Sequence, residues 1–186
     1  LIISMLFVMY THQKINKSLW LFFSACVFAG LTYEVIGINT GFLFGDYKYS
    51  NVMGYKIFGV PVLLGILWFT TMYCVGGLTS QFYNWFSVKY NFKVSNKVEL
   101  HLLAIFGAFA AVFLDIFLEP VAIKLNFWQW YPYGEIPIYN YVCWFFGSLI
   151  LQYLFVILNF NKLNKFAVYL FTIQLIFFVT ISLFYK

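Results

Sequence analysis

Apolar residues in this chain neither alternate nor keep to one helical stripe. They fill long runs, near residues 18 to 38, 59 to 83, 98 to 122, 138 to 160 and 166 to 185, broken by short polar or Gly- and Tyr-rich stretches. About 20 helical residues cross ~30 Å of hydrocarbon, so each run is long enough to span a bilayer. Without period-2 alternation, the runs read as helices and not as strands of a membrane barrel. Residues 1 to 10 read as the end of a further helix, and because the sequence starts at Leu1, some N-terminal residues are expected to precede it. The expected architecture is an all-α, polytopic transmembrane helical bundle of about six helices. It forms a single integral membrane domain over residues 1–186, with folded aromatic and Gly-rich loops on the non-cytoplasmic side.

Composition supports the pattern. Hydrophobic residues make up 63% of the 186 positions and charged residues 9%, with a mean hydropathy of +0.86. A soluble domain of that composition would expose large apolar patches. All eleven basic residues are lysines. Lys14, Lys17, Lys89, Lys93, Lys97, Lys162 and Lys165 fall on one side of a six-helix layout, and Lys48, Lys56, Lys124 and Lys186 on the other. The positive-inside rule makes the first side cytoplasmic, and the default location is a prokaryotic cytoplasmic membrane, crossed many times. The net charge of +5 therefore reports topology, and nucleic acid is not an expected partner.

Taken in order, the polar loop from Thr11 to Lys17 leads to Ser18, a plausible cap for a helix running from Leu19 to about Ile38. Its outer third carries Tyr33 and Glu34. An ionised carboxylate at that depth costs at least ~2.5 kcal/mol, so Glu34 is expected to be protonated, paired or turned to a polar cavity. The stretch from Gly37 to Pro61 is rich in Gly, Tyr and Phe and reads as a folded cap or re-entrant loop. A third helix is expected from Pro61, ending in the cluster from Gln81 to Trp85, with a lysine-rich connection over residues 87 to 97. The fourth, from Val98 to about Ala122, delivers Asp115 and Glu119, and Pro120 interrupts its hydrogen-bond ladder. The fifth begins at Pro137 and carries Trp144. The sixth, from Phe166 to Tyr185, has Gln174 as its one strongly polar group.

An internal echo links two segments. Pro61 precedes Trp68-Phe69 by seven residues, as Pro137 precedes Trp144-Phe145. Each stands behind an aromatic-x-aromatic pair, Tyr47/Tyr49 or Trp128/Trp130, and an acidic helix end, Glu34 or Glu119. This spacing suggests a two-helix pseudo-repeat over 18–83 and 98–160, whose acids and aromatic loops share one site on the same membrane face.

Several chemistries find no support. His12 and His101 are too few for multi-histidine di-iron boxes, and no residue cluster has metal-ligand spacing. Cys26, Cys74 and Cys143 are dispersed in apolar runs and read as buried and unreactive. Neither a nucleotide-binding glycine loop nor a nucleophile elbow is present. With two well-separated aspartates and no arginine, the chain lacks the usual Mg²⁺ and diphosphate sites of prenyl-diphosphate chemistry. The expectation is a cofactor-free and metal-free reaction on an uncharged substrate. Asp115 and Glu119 stand at i and i+4 on one helix face. Two carboxylates so close in a low dielectric cannot both ionise, and one kept protonated is a usable general acid. The structural alternative is that they hydrogen-bond loop N–H groups or Lys124 and hold the outer cap together. Trp128, Trp130, Tyr131 and Tyr133 suit a membrane interface, yet beside an acid their π faces can also stabilise a carbocation. Asp46 reads as a turn residue.

These motifs resemble a known family. The set comprises Glu34-x-x-Gly37-x-x-Thr40-Gly41-x-x-Phe44-Gly45-x-Tyr47-x-Tyr49, Gly59-Val60-Pro61 with Trp68-Phe69, Asp115-x-x-x-Glu119-Pro120, Trp128-x-Trp130, and Ile136-Pro137 with Asn140 and Trp144-Phe145. Together it is similar to the carotenoid biosynthesis membrane proteins, whose members include CruF-type carotenoid 1′,2′-hydratases and bisanhydrobacterioruberin hydratases. The insertion of Glu135 before Ile136-Pro137, and Tyr141 to Cys143 after Asn140, depart from the family pattern. The resemblance implies water addition to the terminal C1′=C2′ bond of a linear ψ end group through a tertiary carbocation. It implies Glu34, Asp115 and Glu119 as catalytic carboxylates. Tyr33, Thr40, Phe44, Tyr47, Tyr49, Trp68, Trp128, Trp130, Asn140 and Trp144 would then bind substrate. The implied partners are a lipophilic carotenoid and the bilayer, with other carotenoid enzymes or a second copy of the chain left open. A cyclase-like step on the same end group, or a non-enzymatic polyene-binding or assembly subunit, are the alternatives. The geometric expectation is that Glu34, Asp115 and Glu119 converge near the outer helix ends.

Overall fold

The computed structural model describes residues 1–132 and 134–184; Tyr133, Tyr185 and Lys186 lie outside the described residues. Six helices occur among them: α1 (Ile2–Thr11), α2 (Lys17–Thr40), α3 (Leu63–Tyr90), α4 (Asn96–Lys124), α5 (Ile138–Ile157) and α6 (Lys165–Phe184). The last five are long and apolar enough to cross a membrane, so the chain is an integral membrane protein. Four short strands accompany them: β1 (Tyr47–Tyr49), β2 (Lys56–Ile57), β3 (Val60–Pro61) and β4 (Trp128–Trp130).

Helix boundaries follow local capping. Asn16, not Ser18, caps α2: its side chain accepts from the Leu19 N–H at 2.9 Å, which places Ser18 inside the first turn. The helix closes at Gly41 in the left-handed conformation, its N–H bonded to the Gly37 carbonyl. Ser95 caps α4, so the lysine-rich connection is shorter than the sequence suggests, with Lys89 and Lys97 already helical. Pro61 does not open the third helix. Phe58 and Gly59, both at positive φ (49° and 86°), make a two-residue turn that pairs Ile57 with Val60 and Lys56 with Pro61, delaying α3 to Leu63. Pro120 leaves α4 unbroken to Lys124.

α3 is the central helix. Trp68, Phe69, Met72, Tyr73, Cys74 and Val75 are essentially inaccessible, whereas α6 is largely exposed to the surroundings. Small residues bring neighbours against α3 and α4. A Cβ on Gly76 would stand 2.7 Å from the Phe155 ring, and one on Gly107 would stand 2.6 Å from Gln152 Oε1. At the lysine-rich end the connections touch: Asn16 Nδ2 donates to the Asn159 carbonyl, and Asn161 to Gln13. At the lysine-poor end the two long connections join through an antiparallel ladder. Tyr47 pairs with Trp130, Lys48 with Gln129 and Tyr49 with Trp128. This ladder is the folded cap expected of residues 37 to 61, built together with the loop after α4.

Candidate functional site

The ladder positions the aromatic groups. Alternate strand residues share a face, so Tyr47 and Tyr49 of β1 and Trp128 and Trp130 of β4 turn together toward the helices, while Lys48 and Gln129 face outward and are exposed. The phenols reach α2: Tyr47 and Tyr49 donate to Glu34 Oε2 at 2.6 and 2.7 Å. Trp68 of α3 donates its indole N–H to Glu34 Oε1 at 3.1 Å. The indoles of β4 reach α4, where Trp128 and Trp130 each donate to Glu119 Oε2 at 2.9 Å. Asn140, in the first turn of α5, completes this half, its Nδ2 standing 3.1 Å from Asp115 Oδ2 and 3.3 Å from Glu119 Oε1.

All three carboxylates are thus buried, with Glu34 5%, Asp115 1% and Glu119 3% exposed. Their donor sets differ. Glu34 and Glu119 each receive three N–H or O–H donors spread over both oxygens. Asp115 receives one, and its Oδ1 is buried without a hydrogen-bond partner. Donors of this kind favour the ionised form of the group they touch. Burial, and next the nearby Glu34, push the Tyr47 and Tyr49 hydroxyls above their ordinary value, so both stay protonated donors.

One layer of rings joins the two acidic halves. The Tyr47 and Trp130 rings lie 5.0 Å apart, so Glu34 and Glu119 are separated by that ring pair. Below it, Trp68 stacks parallel on Trp144 at 4.4 Å. Tyr33 meets Trp68 edge-on and donates to the Cys143 carbonyl at 3.1 Å. Phe44, at φ 66°, packs on Tyr33 and Tyr47 and donates its N–H to Cys143 Sγ at 3.3 Å.

Glu34, Asp115, Glu119, Tyr33, Phe44, Tyr47, Tyr49, Trp68, Trp128, Trp130, Asn140 and Trp144 are therefore brought into one cluster. Thr40 is not: it is exposed at the end of α2, and its hydroxyl is spent on the Ile36 carbonyl and the Phe42 N–H. Tyr131 is exposed, with Lys48 over its ring, and Asp46 serves the loop by accepting the Tyr131 N–H on its carbonyl. Lys124 donates to the Ser182 carbonyl.

Two contributors were hidden in the sequence. Gly30, one turn before Glu34, leaves room for the Trp68 ring, whose Cγ would lie 2.4 Å from a Cβ there. Gly147 makes the same space for Tyr33 and Trp68. The available signal was their spacing, since Gly30 stands four residues before Glu34 as Asp115 stands before Glu119. Among the described residues no three His, Cys, Asp or Glu side chains gather as a metal-ligand group.

Over residues 1–186 the sequence matches the family described as carotenoid biosynthesis protein. No curated protein and no solved structure matches it.

Proposed function

Since the chain belongs to the carotenoid biosynthesis protein family and so has a role in carotenoid biosynthesis, we propose that the carboxylate cluster hydrates the terminal double bond of a linear carotenoid. The observation that carries this reading is the contrast among the three acids. Glu34 and Glu119 each receive three donors that suit an ionised carboxylate, whereas Asp115 beside them has a buried oxygen with no partner. An ionised Asp115 there would be an uncompensated buried charge, so Asp115 is assigned the proton.

In this mechanism the Asp115 proton adds to C2′ of the C1′=C2′ bond, and the π electrons leave a tertiary cation at C1′. Indole faces of Trp128, Trp130 and Trp144 stabilise the cation, and ionised Glu34 and Glu119 add electrostatic support in a site shielded from bulk water. A water oxygen bonds to C1′ and gives its extra proton to Glu119, which retains acceptor capacity beyond its three donors. Asn140, in contact with both acids, positions them for returning that proton to Asp115. The net change is one water added, with no oxidant or reductant.

Expression in a host that accumulates a linear carotenoid tests the reading. A product heavier by one water supports hydration, and a product of unchanged mass points to cyclisation. Asp115→Asn is expected to lower product at least ~100-fold at equal membrane abundance, the scale of a lost general acid. Full product from that variant overturns the assignment.

A further inference from the structure

We infer that the end group reaches the acids from the side of the membrane, through an apolar chamber behind Trp128 that opens beside the loop after β1. The inference rests on the hydratase reading and names how its substrate is held. The chamber, a cavity of about 160 Å³, is walled by Leu67 of α3, by Leu118, Val121 and Ala122 of α4, by Trp128 and by Phe178 of α6. It also touches Leu1, Met53 and Phe127, and these three residues line a second cavity of about 420 Å³. That outer cavity includes Val52 of the loop after β1, which is 60% exposed, so the two together run from the molecular surface to the Trp128 ring.

Continuity with the acid cluster identifies the occupant. Trp128 is at once a wall of the chamber and a donor to Glu119. Leu118 and Ala122 follow Asp115 at i+3 and i+7, so the acid lies on the same side of α4 one turn deeper. An unfunctionalised polyene carries no group for a polar handle to recognise, and it dissolves in the bilayer. A lateral port lined by apolar side chains, ending at the Trp128 ring whose far side bonds Glu119, therefore suits the terminal isoprenoid unit of a linear carotenoid. A larger cavity of about 510 Å³ lies between α3 and α4 near their lysine-rich ends, lined by Phe82, Phe86, Leu103 and Phe106 among others. Leu103 is twelve residues from Asp115, about 18 Å along the helix, so this groove is remote from the chemistry.

Ala122, a small residue in the wall of the inner chamber, is the position to fill. In the carotenoid-accumulating host, Ala122→Phe is expected to lower product at least ~10-fold at equal membrane abundance. Leu103→Trp, which fills the remote groove, should leave product unchanged. Adding Leu67→Ala to Ala122→Phe reopens the chamber and should restore product, which a misfolded protein would not do. A second readout is independent of turnover. Purified Asp115→Asn protein is expected to carry carotenoid absorbance, and Asp115→Asn/Ala122→Phe protein of the same elution profile to lack it. Undiminished product and pigment with Ala122→Phe, or loss caused by Leu103→Trp instead, overturns the port. Pigment that depends on Ala122 in a protein forming no hydrated product would overturn the hydratase reading and leave the port standing.

Discussion

At the scale of single residues, energetics turn on donors aimed at buried carboxylates. A hydrogen bond to a charged group contributes about 1.5–3 kcal/mol, and a buried acceptor left bare costs a similar amount. Tyr47→Phe removes the shortest donor on Glu34 while keeping the ring that packs on Trp130. It is expected to lower stability by ~1.5–3 kcal/mol in a thermal unfolding series of detergent-purified protein. Tyr83→Phe, which loses a longer 3.2 Å bond to Glu99 near the lysine-rich end, should change little. The three acids were legible in the sequence because a carboxylate in an apolar run is expensive and demands a partner. Their partners were only half legible. The aromatic-x-aromatic spacing announced Tyr47/Tyr49 and Trp128/Trp130 as sets, but nothing local says that Trp68, 34 residues from Glu34, donates to it. Nor does anything local say that Asn140 spans two acids, because such contacts are set by tertiary packing.

Among the elements, the close approach of α2 and α3 governs where Trp68 lies, and Gly30 governs that approach. Gly30→Ala would put a Cβ 2.4 to 2.7 Å from Trp68 Cγ, Cδ1 and Cβ, atoms close to the α3 backbone that cannot swing aside. The expected cost is ~1–3 kcal/mol of stability from overpacking. Trp68 would also move off Glu34, visible as a change in tryptophan emission and in product yield. Gly54→Ala is the contrasting case: its Cβ meets open space, and only the positive φ of 81° resists it. It should cost about 1 kcal/mol and leave the site unchanged. Helix existence was plain from the long apolar runs, whereas ends shifted by a few residues wherever a neighbouring side chain capped better, as Asn16 does before α2. The β1–β4 ladder was not legible as a pairing, since three-residue strands carry too few positions to register an alternation. Only the fold brings residues 47–49 against 128–130.

For the whole molecule, the lysine-poor end carries the acids and the opposite end carries a separate buried polar lock. His12, between α1 and α2, is 5% exposed, and its Nδ1 lies 2.6 Å from the Tyr73 hydroxyl of α3. Asn164, ahead of α6, donates to the same hydroxyl at 3.1 Å and to Thr11 of α1. Two helices and two connections are therefore joined around one phenol. Because Asn164 supplies a proton to the Tyr73 oxygen, the phenolic proton is free to go to Nδ1, which fixes a neutral imidazole with its own proton on Nε2. That Nε2 is buried without a partner, and burial lowers the His12 pKa from its ordinary 6.5. The sign of the pH effect follows. Above 6.5 the ring is neutral folded or unfolded, and the lock holds fully. As the pH falls below 6.5 the unfolded chain binds a proton that the folded chain resists, so stability declines with acidity until the folded-state value is passed. Unfolding temperatures of the purified protein are expected to drop between pH 7.5 and pH 5.5, roughly one unit either side of the histidine's ordinary value. His12→Phe, less stable at neutral pH through loss of the Tyr73 bond, should show a flatter profile across that interval. An equal slope in both proteins would remove His12 as the source. Since the lock holds α1 through Thr11 and His12 and makes no hydrogen bond to the carboxylate cluster, its loosening is expected to free α1 before that cluster. Hydrogen exchange should then rise first in residues 2–16 and last in β1 and β4.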